Sequence, residues 1–151
     1  MSSSRLFPAA ALALALALGT VPSLHAQAAP RPMTVVDLIS LPSVADAQLS
    51  PDGAQVLYTC TDTDWERNRT VSHIWRVDTD GSDVLQLTRG EDGESSPRWS
   101  PDGKLIAFLA DRADDKPRQI HLLRTLGGEA EALTEHATSV GDIQWSPDGK
   151  W

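Results

Sequence analysis

The five-residue phrase WSPDG stands at Trp99–Gly103 and again at Trp145–Gly149, and a near copy, LSPDG, stands at Leu49–Gly53. In such a phrase proline fixes φ at the first corner of a turn, aspartate accepts hydrogen bonds from the following amides, and glycine adopts the positive φ that closes a hairpin. The phrase therefore predicts a β-hairpin turn, and its recurrence predicts a chain made of repeated units. The motif residues are Ser50, Pro51, Asp52 and Gly53; Trp99, Ser100, Pro101, Asp102 and Gly103; and Trp145, Ser146, Pro147, Asp148 and Gly149.

The repeat has a fixed length. The segment IWRVDTDGSDVLQLT, from Ile74, aligns without a gap with IHLLRTLGGEAEALT, from Ile120, which is 46 positions later (120 − 74). Ser50 and Ser100 are 50 positions apart instead, so the first unit carries four additional residues, placed within residues 59–73. A period in the forties is typical of a propeller blade, and also of HEAT and armadillo repeats.

The apolar pattern decides between these architectures. The segments KLIAFLAD, QIHLLR and DVLQLT are short, rich in β-forming residues and separated by Gly, Pro and Asp, which indicates strands and not helical repeats. The second unit is predicted to have four strands: Arg98–Ser100, Leu105–Ala110, Gln119–Arg124 and Ala130–Thr134.

We therefore predict an all-β fold, a partial β-propeller with about two four-stranded blades at 43–94 and 95–140 and the start of a third at 141–151. Trp99 and Trp145 are expected to lie between blades, where large rings fill space well, and Trp75 is expected to pack similarly from a third strand.

The beginning of the chain predicts export. Arg5 precedes an apolar run of Leu and Ala, and the small-residue sequence Ala26-Gln27-Ala28 follows it, a pattern typical of a secretory signal peptide over residues 1–28. The alternative, a membrane anchor, is disfavoured because the run is too short to span a bilayer. We expect a periplasmic or secreted protein without stable membrane insertion after cleavage.

Residues 29–42 are predicted to form a segment that contains a short helix at Val35–Ser40. Thr34 with Asp37 three positions later gives a capping box at its start. We expect this helix to lead into the first blade and to cover the edge of that blade.

Charge and cysteine content exclude some functions. The formal net charge is −8, and without a basic stripe no nucleic-acid partner is expected. The single cysteine, Cys60 in the strand-like VLYTC, is predicted to be a buried small apolar residue and not a nucleophile.

Candidate chemistry is sparse. The motif serines recur with their turns, and the sequence contains no Gly-x-Ser-x-Gly elbow, so a structural role is favoured for them. Asp78–Asp83 resembles a calcium loop, but its repeat equivalent keeps the glycine and has Arg124 and Leu126 in place of Asp78 and Asp80, which favours a turn. The histidines His73, His121 and His136 lack metal-ligand spacing. We therefore predict no catalytic, cofactor-binding or metal-binding residue and no cofactor.

The additional residues in the first unit leave two interpretations open. The segment TDTDWERNR, which contains Trp65, is expected to lie on the same side of the blades as the connections between them, because antiparallel strands alternate in direction. It is either a solvated loop with one packed tryptophan or a projection that contacts a partner domain or a substrate.

Taken together, MTVVDLISLPSVADAQLSPDG, SSPRWSPDGKLIAFLADR and SVGDIQWSPDGK resemble the amino-terminal propeller of the prolyl oligopeptidase family, in its exported dipeptidyl- or acylaminoacyl-peptidase-like branch. The resemblance covers about residue 33 to the end. The repeat phrases also resemble the propeller of TolB, a periplasmic protein that binds other proteins without catalysis.

The resemblance to the peptidases implies a propeller followed by an α/β-hydrolase domain that bears Ser, Asp and His and cleaves peptides, with the propeller restricting access. The expected partners are then a peptide substrate and that catalytic domain. Since a seven-blade ring of such units needs more than about 300 residues, we expect the chain to be an N-terminal fragment that is inactive alone. The TolB-like alternative is a binding propeller without catalysis.

Overall fold

The computed structural model describes residues 31–111 and 117–150. The predicted signal peptide at 1–28 and the last residue, Trp151, lie outside this part of the chain. The elements within it are α1 (Val35–Ile39), β1 (Ser43–Leu49), β2 (Gln55–Asp64), β3 (Arg69–Asp78), β4 (Leu85–Gln86), β5 (Glu94–Trp99), β6 (Leu105–Ala110), β7 (Gln119–Arg124) and β8 (Glu131–Ala132).

The eight strands form two antiparallel sheets with the same topology. Sheet 1 has the order β1-β2-β3-β4 and sheet 2 the order β5-β6-β7-β8. Each sheet is a meander of consecutive strands, and the two are not closed into a barrel. The prediction of an all-β partial propeller with two four-stranded blades is confirmed, and β6 and β7 have the predicted bounds.

The first strand of each sheet carries a β-bulge that the sequence analysis missed. The register shifts between Ala45 and Gln48 in β1 and between Ser95 and Arg98 in β5. Asp46 and Ser96 adopt positive φ values of 51° and 53° at these points, as a bulge requires. The predicted start of β5 at Arg98 was wrong, because the bulge accommodates the proline before it and the strand begins four residues earlier.

Just after the last strand of each sheet, a threonine side chain accepts a hydrogen bond from the third strand. Ile74 N donates to Thr88 Oγ1 at 2.9 Å, and Ile120 N donates to Thr134 Oγ1 at 3.0 Å. A hydroxyl thus replaces the carbonyl that a longer strand would offer. The predicted strand Ala130–Thr134 was therefore too long, and only two of its residues pair in β8.

The core lies between the two sheets. Leu57 and Ile74 of sheet 1 pack against Ile106 and Phe108 of sheet 2, and all four are 0 % exposed. Trp99 lies in the same cluster, so its predicted place between blades is confirmed. Apolar burial of this kind is the main source of stability in such a fold.

Two further tryptophans, Trp75 and Trp145, lie on other faces. Trp145 packs on the opposite face of sheet 2, against the cluster of Ala107, Leu109 and Ile143. Trp75 is paired with Tyr58 across β2 and β3, and side chains alternate between the faces of a sheet. Trp75 therefore lies on the face away from sheet 2, where the described residues include no further sheet, and its packing between blades stays a prediction.

Helix α1 forms as predicted, but within the described residues it does not pack over the edge of the first sheet. Thr34 Oγ1 accepts from Asp37 N, and the Asp37 side chain accepts from the Thr34 backbone, which completes the capping box. The helix ends at Ile39 and Ser40 is its C-cap. It leads into β1, and Thr63 Oγ1 donates to Ile39 O at 2.9 Å, but none of its residues is buried, so the predicted cover of the blade edge is not seen. The described helix is too short to cross a membrane.

Candidate functional site

The first motif turn is held by its own side chains. Ser50 Oγ donates to Asp52 Oδ1 at 2.6 Å, and the same carboxylate oxygen accepts from Ala54 N at 3.1 Å. Ser50 Oγ also accepts from Gln55 N at 2.9 Å. Gly53 has a φ of 74°, which favours glycine because a side chain is strained there.

The other two motif turns repeat this arrangement. Ser100 Oγ donates to Asp102 Oδ1 at 2.7 Å, and Ser146 Oγ donates to Asp148 Oδ1 at 2.7 Å. A nucleophilic serine needs a general base that takes its proton, whereas each of these hydroxyls donates a hydrogen bond to the aspartate that shapes its own turn, and the pKa of that aspartate is lowered. The geometry supports the prediction that the motif residues are structural.

Successive motif turns touch one another. A Cβ placed on Gly103 would lie 3.7 Å from Pro51 Cδ, and one placed on Gly149 would lie 3.7 Å from Pro101 Cδ. Each glycine thus faces the proline of the turn before it, and a side chain at that position would be in van der Waals contact with the proline. Trp99 lines the shallow groove that lies between the first two turns.

The motif aspartates are more acidic than usual. The serine hydroxyl first, and then the backbone amide two residues later, lower the pKa of Asp52, Asp102 and Asp148 below the ordinary value. Both hydrogen bonds favour the charged carboxylate.

The acid sensitivity of the turns follows from these pKa values. A folded-state pKa below the unfolded one means that the turn hydrogen bonds stabilise the fold fully above the unfolded value of about 3.9 and are lost as the pH falls through the folded pKa. We expect the urea midpoint of the wild-type protein to fall as the pH is lowered from about 5 towards 3. Asp102→Asn is expected to reduce this slope, and an unchanged slope would contradict the assignment.

The longer hairpin of the first unit lies beside the connection to the second unit. Arg69 Nη1 donates to Asp92 Oδ1 at 2.7 Å, and Arg69 Nη2 donates to Glu91 O at 2.6 Å. This confirms that the hairpin and the blade connection share one side. Trp65, at the tip, is 55 % exposed, so it is only partly packed and both interpretations of this segment stay open.

A buried carboxylate holds the same connection. The Glu94 side chain is 0 % exposed, and its Oε2 lies 3.0 Å from His73 Nδ1. Its Oε1 accepts from Gly90 N at 2.8 Å. This pair was not predicted from the sequence, because its members are 21 positions apart. The second unit has Gln119 at the position of His73, and Gln119 Oε1 accepts from His136 N at 2.8 Å.

Cys60 lies opposite His73 in the register of β2 and β3, which places a thiol and an imidazole on neighbouring strands. Burial, and then the charge of Asp62, raise the pKa of the Cys60 thiol above its usual value. A raised pKa disfavours the thiolate that a nucleophile needs. Cys60 is half-buried, whereas the sequence predicts a buried residue.

The acidic residues of Asp78–Asp83 serve the turn between β3 and β4. Asp80 Oδ1 accepts from Ser82 N at 2.8 Å, and Arg76 Nη2 donates to Asp83 Oδ2 at 2.8 Å. Within residues 31–111 and 117–150, no group of three His, Cys, Asp or Glu residues is placed to hold a metal ion.

The chain is similar to several peptidases over most of its length. No family model matches it. It is 37 % identical over 118 residues to an uncharacterized peptidase, YuxL, of Bacillus subtilis, and covers 18 % of that protein. It is 30 % identical over 118 residues to dipeptidyl-peptidase 5 of Porphyromonas endodontalis, of which it covers 17 %. It is also 36 % identical over 75 residues to the Tol-Pal system protein TolB of Alcanivorax borkumensis, of which it also covers 17 %.

Solved structures with similar folds also include peptidases. The AtxE2 isopeptidase shares a TM-score of 0.63 and 25 % identity, with 78 % of this chain and 22 % of that chain covered. The β-propeller domain of the Trilobed protease of Pyrococcus furiosus has a TM-score of 0.55 at 21 % identity, over 72 % of this chain and 32 % of that chain, and shows the fold alone. The chain is thus similar to the propeller part of known peptidases, and it spans less than a fifth of the length of the peptidase relatives that it matches.

Proposed function

We propose that this chain is the first part of the propeller of an exported serine peptidase of the prolyl oligopeptidase family. In the complete protein the propeller restricts the access of peptides to an α/β-hydrolase domain that bears Ser, Asp and His. The observation that carries the proposal is the 37 % identity to a peptidase over 118 residues, which are 78 % of this chain.

The role of these units is architectural and not catalytic. The motif serines donate to carboxylates within their own turns, and the thiol of Cys60 has a raised pKa. Sheets that pack face to face around an axis leave a central passage, and a narrow passage excludes folded proteins while it admits peptides. The similarity to dipeptidyl-peptidase 5 favours peptides with a free N-terminus as substrates, cut a short distance from that N-terminus.

Export supports the same function. The signal-like leader at 1–28 and the similarity to a TolB protein favour the periplasm of a bacterium as the location. Peptides that enter this compartment would be the substrates.

The test begins with the gene beyond codon 151. We expect a Gly-x-Ser-x-Gly elbow several hundred codons later, followed by Asp and His in the order of an α/β-hydrolase. The purified product of the intact gene is expected to release short N-terminal fragments from peptides. Replacement of the elbow serine by alanine is expected to lower kcat by about 10⁴-fold or more.

The control for this test is the chain 29–151 alone, which we expect to hydrolyse no peptide. Hydrolysis by 29–151, or an intact gene product that has neither an elbow nor peptidase activity, would contradict the proposal.

A second candidate function rests on the 36 % identity to TolB over 75 residues. In that case the propeller binds other envelope proteins, and the gene ends after its last blade. A stop codon at that place, together with retention of envelope proteins by the purified propeller, would favour this alternative.

A further inference from the structure

The hairpin of β2 and β3 projects from the first sheet. Its strands pair over ten positions, as far as Asp64 and Arg69, whereas β6 and β7 pair over only six. At about 3.3 Å per residue, the further pairs lengthen the hairpin by roughly 13 Å. We call residues 61–72 the projecting hairpin, and Trp65 lies at its end.

The projecting hairpin is bonded to the chain on both sides of it. Arg69 donates to Asp92 Oδ1 at 2.7 Å and to Glu91 O at 2.6 Å, on the connection between the sheets. Thr63 Oγ1 donates to Ile39 O at 2.9 Å, on the segment before β1. A hairpin that is ordered before a ligand arrives loses little conformational freedom on binding, which favours affinity.

Strand direction determines the end of the blades to which the projecting hairpin belongs. In each four-stranded meander the first strand begins, and the last strand ends, at the end of the sheet where the second strand turns into the third. The chain therefore leaves each blade at the end that carries the projecting hairpin, and by the repeat the last blade follows the same rule. A domain that follows the propeller is attached at that end.

The position of the projecting hairpin has a consequence for the proposed function, on which this step rests. The domain that follows the propeller is then the α/β-hydrolase, so the projecting hairpin is directed towards the space between the two domains. Binding sites for substrates occur preferentially at such domain interfaces. Trp65 is therefore placed where a peptide is held before it is cut.

A groove of about 350 Å³ runs beside the projecting hairpin. It is lined by Asp62 of the hairpin and Arg89 of the connection, and it reaches Asp64 and Arg67, which flank the tip. Asp62 and Arg89 are exposed and have no hydrogen bond or ion pair with the described residues. The amides of a peptide main chain can donate to such a carboxylate, and its carbonyls can accept from such a guanidinium.

The tip itself favours a positively charged side chain. Trp65 is 55 % exposed, and the neighbouring Glu66 is exposed. The two arginines of the projecting hairpin already have carboxylate partners, since Arg67 lies 3.7 Å from Glu91 and Arg69 pairs with the connection. The face of an indole ring attracts a cation, and a carboxylate beside the ring strengthens that attraction.

We propose that the projecting hairpin is a peptide-binding element of the complete protein, and that Trp65 determines a preference for peptides with a lysine or arginine side chain. The main chain of the peptide lies in the groove of Asp62 and Arg89, and its basic side chain contacts Trp65 and Glu66. Trp65 takes no part in the bond cleavage, and its effect is on the choice of substrate.

The test uses two series of short peptides that carry one lysine or one norleucine at each position in turn. Norleucine has a side chain of similar length without the charge. In the purified product of the intact gene we expect kcat/KM at one position to be about three- to tenfold higher with lysine. Trp65→Ala is expected to remove this preference, chiefly through KM, and Trp65→Phe to keep part of it because a phenyl ring also attracts a cation.

The matched control is Leu126→Ala. Leu126 is 102 % exposed and lies in the turn between β7 and β8, at the end of the blades opposite to the projecting hairpin. We expect this variant to keep the preference for lysine.

Binding gives a second readout that does not need catalysis. Fluorescence anisotropy of labelled peptides measures Kd in the variant whose elbow serine is replaced by alanine, or in the intact gene product itself if it cleaves no peptide. We expect the same three- to tenfold preference for lysine in Kd, and its loss in Trp65→Ala.

Each outcome decides the inference. A preference for lysine that Trp65→Ala removes and Leu126→Ala keeps supports it. No such preference, or one that Trp65→Ala leaves unchanged, overturns it. Unchanged binding together with a lower Tm of Trp65→Ala in the intact gene product would assign Trp65 to a contact with the following domain and would also overturn it.

The failure of this inference differs from the failure of the proposed function. A peptidase whose substrate preference does not depend on Trp65 rejects the inference and keeps the proposed function. A gene product that binds lysine peptides through Trp65 but cleaves none rejects the proposed function and leaves this inference standing.

Discussion

Replacement of Trp99 by alanine is expected to lower the free energy of unfolding by about 3–5 kcal/mol, because truncating a buried tryptophan removes a large apolar contact and leaves a cavity. Trp99 is 9 % exposed and lies in one cluster with Leu57 and Ile74 of sheet 1 and Phe108 of sheet 2. Its Nε1 makes no hydrogen bond with the described residues, so the loss comes from packing alone. Urea unfolding followed by far-UV circular dichroism measures the effect.

The matched control for this substitution is Trp65→Ala. Trp65 is 55 % exposed at the tip of the first hairpin, and surface substitutions usually change stability by less than about 0.5 kcal/mol. If the two alanine variants unfold at the same urea concentration, the contact between the sheets does not depend on Trp99 and the packing described above is incorrect.

Replacement of Glu94 by alanine is expected to lower the free energy of unfolding by about 2–4 kcal/mol, because it leaves a half-buried amide and a half-buried imidazole without their common partner. The Glu94 carboxylate contacts His73 Nδ1 at 3.0 Å and Gly90 N at 2.8 Å. These contacts hold the connection between the first and second sheets. Hydrogen exchange is expected to show faster exchange at Gly90 and in β5 before the rest of sheet 2.

Glu91→Ala is the control for the Glu94 substitution. The Glu91 side chain is 82 % exposed and lies 3.7 Å from Arg67, and exposed ion pairs contribute at most about 1 kcal/mol. Uniform loss of protection across both sheets in Glu94→Ala, or an equal effect of Glu91→Ala, would show that the pair does not hold this connection in particular.

The repeated part of the fold could be predicted from the sequence because it depends on local patterns. A proline, an aspartate and a glycine in sequence determine the turn at Ser100–Gly103, and alternating apolar residues determine strands such as Leu105–Ala110. These signals lie within a few residues of one another, so they act before distant parts of the chain meet. The helix start at Thr34 was predictable for the same reason, since its capping box spans three positions.

Other features depend on contacts between distant residues. The bulges at Asp46 and Ser96 place residues without an unusual side chain at positive φ, and no local pattern requires this. The pair of His73 and Glu94 forms only when the connection between the sheets folds back on the first hairpin. The period identifies the strand that carries Trp75 but not which of its faces has a neighbour, so the packing of Trp75 stays a prediction.

The contact between successive turns has a consequence for how such a gene changes. The proline of one motif faces the glycine of the motif after it, as Pro51 with Gly103 and Pro101 with Gly149 demonstrate. A recombination event that duplicates or deletes one whole unit therefore again places the proline of one turn opposite the glycine of the next turn. Lineages are expected to differ in this protein by complete multiples of the repeat more readily than by insertions within it.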